Sequence, residues 1–117
     1  FPITEVLEIL RFAQVAEGDI EITESGKRIA NADILHQKQI FAAHLMSYVP
    51  LARHIRHVLD GIPGHREHEE RFLSELEEHL SPDAAEEVLT VVIGWGRYAE
   101  IFAYDYNTGM LSLENPE

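Results

Sequence analysis

Residues 81–114 read SPDAAEEVLTVVIGWGRYAEIFAYDYNTGMLSLE, and the order of signals in that stretch decides the fold class: a helix start, an apolar helix face, then two short strands around a turn. Ser81 is a residue type that caps helices, Pro82 suits a first turn where its missing N–H is not needed, and Asp83, Glu86 and Glu87 set negative charge near the positive end of the helix dipole. Ala85, Val88, Leu89, Val92, Trp95 and Ala99 recur at three- and four-residue steps, which places them on one side of the helix, facing a core. Residues 101–104 and 110–113 are short runs of strand formers. They are joined by Asp105, Tyr106, Asn107, Thr108 and Gly109, of which the Asn and the Gly tolerate the positive φ of a hairpin loop. Helix followed by hairpin is the second half of a winged helix, with the hairpin as its wing.

Upstream, a helix over about residues 67–80 puts Phe72, Leu73, Leu76 and Leu80 toward a core and Glu69, Glu70, Glu75, Glu77 and Glu78 toward water. Before it, Leu51, Ile55, Val58 and Leu59 mark another amphipathic helix, which Gly61 is expected to stop in a left-handed cap, with Ile62, Pro63 and Gly64 as the turn. Residues 50–114 therefore run helix, helix, helix, strand, strand, the full winged-helix order. At the other end, Ile3, Val6, Leu7 and Leu10 keep helical spacing, and residues 12–16 and 20–23 flank Glu17-Gly18-Asp19. The helix-then-hairpin pattern thus occurs twice, the first time without the helices that should precede it.

Thr23 looks like the cap of a short helix carrying Ile29 and Ala30. Asp33 can cap the longer helix that follows, in which Ile34, Phe41, Leu45 and Tyr48 form a stripe at roughly heptad spacing until Pro50 interrupts it. Two roles fit that stripe, a connector between units or a dimerisation seam. The expected division is a truncated winged-helix half at residues 1–32, a connector helix at 33–49 and a complete winged-helix unit at 50–117. The fold class is mainly α with small β-hairpins, winged-helix-like, one truncated and one complete unit joined by helices. Because the chain begins at Phe1, it is expected to be a piece of something longer. Either upstream helices or a second copy would complete the first unit, and the second option favours a homodimer.

The 117 residues are 45% hydrophobic and 26% charged, enough apolar chain for a core in one domain or two small ones. Lys and Arg number 9 against 21 Asp and Glu, for a formal charge of -12 that repels phosphate backbones and anionic membranes, so nucleic acid is not an expected partner. No run approaches the ~20 apolar residues of a membrane span and no signal peptide is visible, so direct membrane insertion is not expected. The lack of cysteine removes disulfides, thiolate zinc sites and cysteine nucleophiles, and suits a reducing cytoplasm.

On a DNA-reading winged helix the outer face of the third helix needs cations and amides. Here it offers Glu86, Glu87, Thr90, Gly94 and the single cation Arg97. Seven histidines are present, and the spacing of His54 with His57 and of His65 with His68 raises a metal site as a question. The plainer reading makes them exposed helix residues, some beside glutamates, and no metal ligand or cofactor is assigned. There is no P-loop, HExxH or nucleophile elbow, and Ser25, Ser47, Ser74, Ser81 and Ser112 fit caps, helix surfaces or a strand; no catalytic residue is assigned and the chain is not expected to be an enzyme. Trp95, Tyr98, Phe102, Tyr104 and Tyr106 gather at the junction of helix and wing. Most should be core, with Tyr104 and Tyr106, flanking Asp105, as the exposed members. Arg97 could meet a carboxylate of a partner or close an internal pair with Glu100 or Glu86. Trp95, Arg97, Tyr98, Tyr104 and Tyr106 are the candidate protein-interaction residues.

The run NADILHQKQIFAAHLMSYVP at residues 31–50, Gly64-His65-Arg66, Arg71-Phe72-Leu73, and above all Trp95-Gly96-Arg97-Tyr98-Ala99-Glu100 with Phe102, Tyr104-Asp105 and Thr108-Gly109 resemble the C-terminal AAA-associated domain. In that family the domain follows the ATP-binding subunit of ABC transporters of the nitrate, sulfonate and bicarbonate uptake type. The resemblance covers nearly the whole chain. It implies a cytoplasmic accessory or regulatory domain at the inner face of the cell membrane, with an ATP-binding domain and a membrane permease as partners and no catalytic residues of its own. It also implies helices upstream of Phe1. From the residues alone, an acidic winged-helix transcriptional regulator or a metal or ligand sensor is the alternative.

Overall fold

A computed structural model describes residues 3–113, with the side chains of residues 3 and 4 set aside. The chain start at Phe1, the place of Ile3 on the first helix face and the end of the last stretch at Glu114 lie outside the described residues. The chain divides into two compact units, residues 1–50 and 51–117.

The first unit contains α1 (Ile3–Ile9), β1 (Ala13–Ala16), β2 (Asp19–Ile22), α2 (Glu24–Asn31) and α3 (Ile34–Tyr48). Arg11 takes a left-handed φ of 65° directly after α1. Its N–H then reaches the Glu8 carbonyl at 3.0 Å and the Phe12 N–H reaches Leu7 at 2.8 Å, a paired closure that satisfies carbonyls the helix end leaves open. β1 and β2 pair antiparallel across Glu17 and Gly18, both at positive φ, the two-residue turn whose twist matches its strands. Ala13, Val15, Ile20 and Ile22 share one face of this hairpin, and Val15, Ile20 and Ile22 remain 50–52% exposed. The base of the hairpin is clasped by Thr23, whose hydroxyl accepts from the Gly26 N–H at 3.0 Å and donates to the Arg11 carbonyl at 2.7 Å. Gly26 has no room for a Cβ, because Phe12 O occupies that space.

Asp33 caps α3 through the His36 N–H at 2.9 Å, as expected. The heptad stripe, by contrast, is not one continuous seam. Ile34 is 74% exposed and Leu35 61%, whereas Leu45 is fully buried. Further along α3 an aromatic stack takes over: Phe12 lies 4.5 Å from the His44 ring, His44 5.5 Å from Tyr48, and the Arg11 guanidinium 5.0 Å over Tyr48. α3 stops at Tyr48 because Val49 precedes Pro50 and is held extended, at φ -120° and ψ 94°.

The second unit contains α4 (Pro50–Gly61, entering at the boundary), a 3-10 turn (Pro63–His65), β3 (Arg66–His68), α5 (Glu69–Glu77), α6 (Pro82–Tyr98), β4 (Ala103–Asp105) and β5 (Met110–Ser112). α4 buries Ala52, Ile55, Val58 and Leu59. Gly61 is not its left-handed cap: the positive φ values fall on Gly64 and His65, and the helix is stopped by Pro63, which keeps Ile62 extended at φ -100° and ψ 148°. β3 is an addition to the expected order. It pairs antiparallel with β5, Arg66 opposite Ser112 and His68 opposite Met110, so α5 starts at Glu69 rather than 67 and the sheet runs β3-β5-β4. Leu80 lies beyond the end of α5 and is 38% exposed instead of buried.

Ser81 caps α6 through the Ala84 N–H at 3.2 Å. The buried side of α6 is centred on Ala85, Leu89, Val92, Ile93 and Gly96, with Val88 and Trp95 half-buried at its margin, a rotation of the expected face. Gly96 is required there because the Phe102 ring fills the space of a Cβ. α6 ends as α1 does: Glu100 takes φ 60°, its N–H reaches Arg97 at 3.1 Å and the Ile101 N–H reaches Gly96 at 3.0 Å. Ile101 and Phe102 are consumed in this turn and buried, so β4 begins at Ala103. In the wing loop Gly109 alone takes the positive φ, while Asn107 donates its N–H to Asp105 Oδ1 at 2.8 Å. The chain is mainly α with small antiparallel hairpins and is winged-helix-like. No described helix is long and apolar enough to cross a membrane.

Candidate functional site

The wing is fastened to the start of α5. The Glu69 N–H donates to Gly109 O at 2.9 Å. His68 caps α5 by accepting the Glu70 N–H on Nδ1 at 3.1 Å, which assigns the ring proton to Nε2, where it donates to Thr108 O at 2.9 Å. The Tyr104 hydroxyl donates to the Glu69 carboxylate, 3.2 and 3.1 Å from its two oxygens. Partial burial, and after it the hydrogen bond and charge of Glu69, raise the Tyr104 pKa above the ordinary phenol value, so at neutral pH this hydroxyl is a neutral donor. Tyr106 meets Tyr104 edge to face at 5.0 Å. The guanidinium of Arg97 donates to the Tyr106 hydroxyl and lies 4.7 Å over its ring.

These contacts shape one wall of a groove of about 480 Å³ between α5, α6 and the wing. Leu73 and Ile93 supply its apolar floor. Glu69 and Glu70 from α5 and Glu86 from α6 supply carboxylates around it, and Tyr104 and Tyr106 close the wing side. Such a surface suits a ligand that is cationic at one point and apolar beside it.

Of the five candidate interaction residues, Tyr104 and Tyr106 line this groove, and Arg97 is tied to it through Tyr106. Trp95 and Tyr98 do not line it; Trp95 is half-buried and Tyr98 is 47% exposed. Tyr104 is half-buried rather than exposed, and Tyr98 and Tyr106 are the exposed tyrosines of the group. Glu69, Leu73 and Ile93 belong to the site without having been singled out for it. Glu69 and Tyr104 are too far apart in the chain for any local spacing to reveal their bond.

The histidine pairs do not converge. His54 Nε2 lies 2.9 Å from Glu75 Oε1 with its ring edge-on to Phe72, His65 Nδ1 faces Leu59 O at 2.8 Å, and His68 is occupied in the wing. Among the described residues no group of three or more His, Asp or Glu side chains is placed to hold a metal ion.

The fold and this surface define a small winged-helix-like domain whose third helix and wing present carboxylates and tyrosines. The family described as the C-terminal AAA-associated domain has a model that matches residues 1–105, and the chain belongs to that family. No curated protein and no solved structure gives a match to the chain.

Proposed function

We propose that this chain is a non-catalytic accessory domain of an ATPase, specifically a regulatory domain fused behind the ATP-binding subunit of an ABC importer of the nitrate, sulfonate and bicarbonate type. It works in the cytoplasm, at the inner face of the membrane, through contacts with the ATP-binding domain and the permease. The family assignment supports the ATPase link. The observation that carries the protein-contact reading is the outer surface of α6 and the wing, where Glu86 and Glu87 are exposed and Arg97 is turned to Tyr106. Phosphates would be repelled from that face, whereas a protein surface of opposite charge would be attracted.

Regulation on this view is mechanical. Docking on one state of the ATPase more tightly than on the other biases the equilibrium by the difference, typically about 1–3 kcal/mol for coupled sites. A second copy of the chain is proposed as a further partner, through the half-exposed apolar face of β1 and β2. The test is the ATPase rate of the parent subunit, assembled with its permease, with and without residues 1–117. A changed basal or solute-stimulated rate is expected, and an unchanged rate in an intact assembly would remove the regulatory role.

A further inference from the structure

We infer that the groove between α5, α6 and the wing is the docking site for a basic segment of a partner protein, one that presents an arginine or lysine next to an apolar side chain. The inference rests on the protein-contact reading above and names the chemistry of the partner. Three observations combine.

The groove is lined in two halves: Leu73 and Ile93 are apolar, while Glu70 and Glu86 carry exposed carboxylates on different helices that face the same space. A single cationic side chain entering between them meets both charges, and the carbon stem of an arginine or lysine covers the apolar floor. Next, Tyr104 and Tyr106 stand edge to face, so two aromatic surfaces meet at a corner. Tyr106 already carries a guanidinium on its ring, that of Arg97 from outside the groove, which is the kind of group its π face attracts. Finally, the volume of about 480 Å³ holds one or two side chains rather than a helix or a duplex. The formal charge of -12 adds a long-range field that draws basic segments in and keeps anions away.

Glu69 has a separate role. Its carboxylate accepts from the Tyr104 hydroxyl, so it positions the aromatic corner instead of meeting the ligand alone. Variants for a binding test therefore leave Glu69 in place and change the two exposed carboxylates.

The test uses the 117-residue chain and a fluorescein-labelled octapeptide, SLRALLRS, with a second peptide in which citrulline replaces both arginines, in low salt. Binding by fluorescence anisotropy is expected with Kd below about 1 mM, and the citrulline peptide is expected to bind at least about tenfold more weakly. The double variant Glu70→Lys, Glu86→Lys should weaken the arginine peptide by about tenfold or more. Glu77→Lys, Glu78→Lys makes the same change in net charge at exposed positions outside the groove and should weaken it by no more than about twofold. All four positions are exposed, and circular dichroism checks that both variants keep their helices.

Absence of binding, equal binding of the citrulline peptide, or equal weakening by the two double variants would each overturn the inference; the last would show unspecific attraction to an acidic protein. Placing Glu70→Lys, Glu86→Lys in the parent ATPase separates the two proposals. Peptide binding that depends on the groove, with an ATPase rate unchanged both by the variant and by removal of the whole domain, sustains the docking site and overturns regulation. A rate that responds to removal of the whole domain, with no peptide binding, sustains regulation and overturns this site.

Discussion

The hairpins β1–β2 and β4–β5 leave their helices in the same way. Each follows a helix whose end is closed by a pair of backbone hydrogen bonds around a charged residue in the left-handed region, Arg11 in one and Glu100 in the other. Each then buries a phenylalanine, Phe12 or Phe102, and each leaves a glycine no room for a side chain, the Phe12 carbonyl at Gly26 and the Phe102 ring at Gly96. From there they diverge. β5 has a neighbour on both sides, and Leu111 at its centre is fully buried. Among the described residues β1 and β2 pair only with each other, and Val15, Ile20 and Ile22 stay half exposed. A two-stranded ribbon is marginal alone, and a third strand changes that. Three residues at β3 thus give the second wing a third strand, while the first hairpin is a two-stranded ribbon whose apolar face is half exposed.

The sharpest way to break this contrast is to remove matched apolar side chains. Leu111→Ala should lower stability by about 2–5 kcal/mol, as for a fully buried leucine, and Ile20→Ala by about 1 kcal/mol or less. Urea unfolding of both variants checks this, and equal losses would erase the contrast. Next come the two glycines. Gly96→Ala meets an aromatic ring that can shift, for a loss of about 1–3 kcal/mol. Gly26→Ala meets a backbone carbonyl held by the Thr23 N–H and should lose more, read as a larger drop in Tm.

Helix caps give a smaller comparison. Ser81→Ala removes one capping bond, worth about 1 kcal/mol. Thr23→Ala removes a cap and the bond to Arg11 O, so its chemical-denaturation loss should exceed that of Ser81→Ala.

The smallest effect concerns acid. The backbone N–H of His36, followed by its side chain, lowers the Asp33 pKa below the ordinary carboxylate value. A folded pKa below the unfolded one stabilises above the ordinary carboxylate range, and that contribution is lost as pH falls through the folded pKa. Asp33→Asn should therefore be less stable than the parent near neutrality and no less stable at about pH 2, by Tm against pH. A gap that stays constant with pH would sink the assignment.

The parts of this fold that were legible in the sequence are those settled by neighbours along the chain. Ser81, Thr23 and Asp33 cap the helices they were expected to cap, because capping acts over two or three residues. β3 was not legible: Arg66, Glu67 and His68 have no apolar alternation, and the strand exists through backbone pairing with a distant segment. Gly61 invited a cap, yet Pro63 constrains Ile62 and ends the helix first. The need for glycine at position 96 was not legible either, since it comes from the Phe102 ring that fills the space beside it. At the site, exposed Tyr106 could be anticipated from the turn around it. The Tyr104–Glu69 bond could not, since it depends on β4 and α5 being brought together by β5 and β3.

The late position of β5 in the chain also sets a timetable. Ala16 meets Asp19 across a two-residue turn, so the first hairpin can zip and open on a scale of about 1–10 μs, without waiting for any other segment. Arg66 meets Ser112 only after the whole of α5 and α6 lies between them, a loop whose closure entropy must be overcome before the pairing returns anything. Closure of the three-stranded sheet should accordingly be limited by the arrival of β5, and on a ribosome it cannot begin until that strand has emerged. A groove that depends on that wing becomes competent to bind only when synthesis of this stretch is complete.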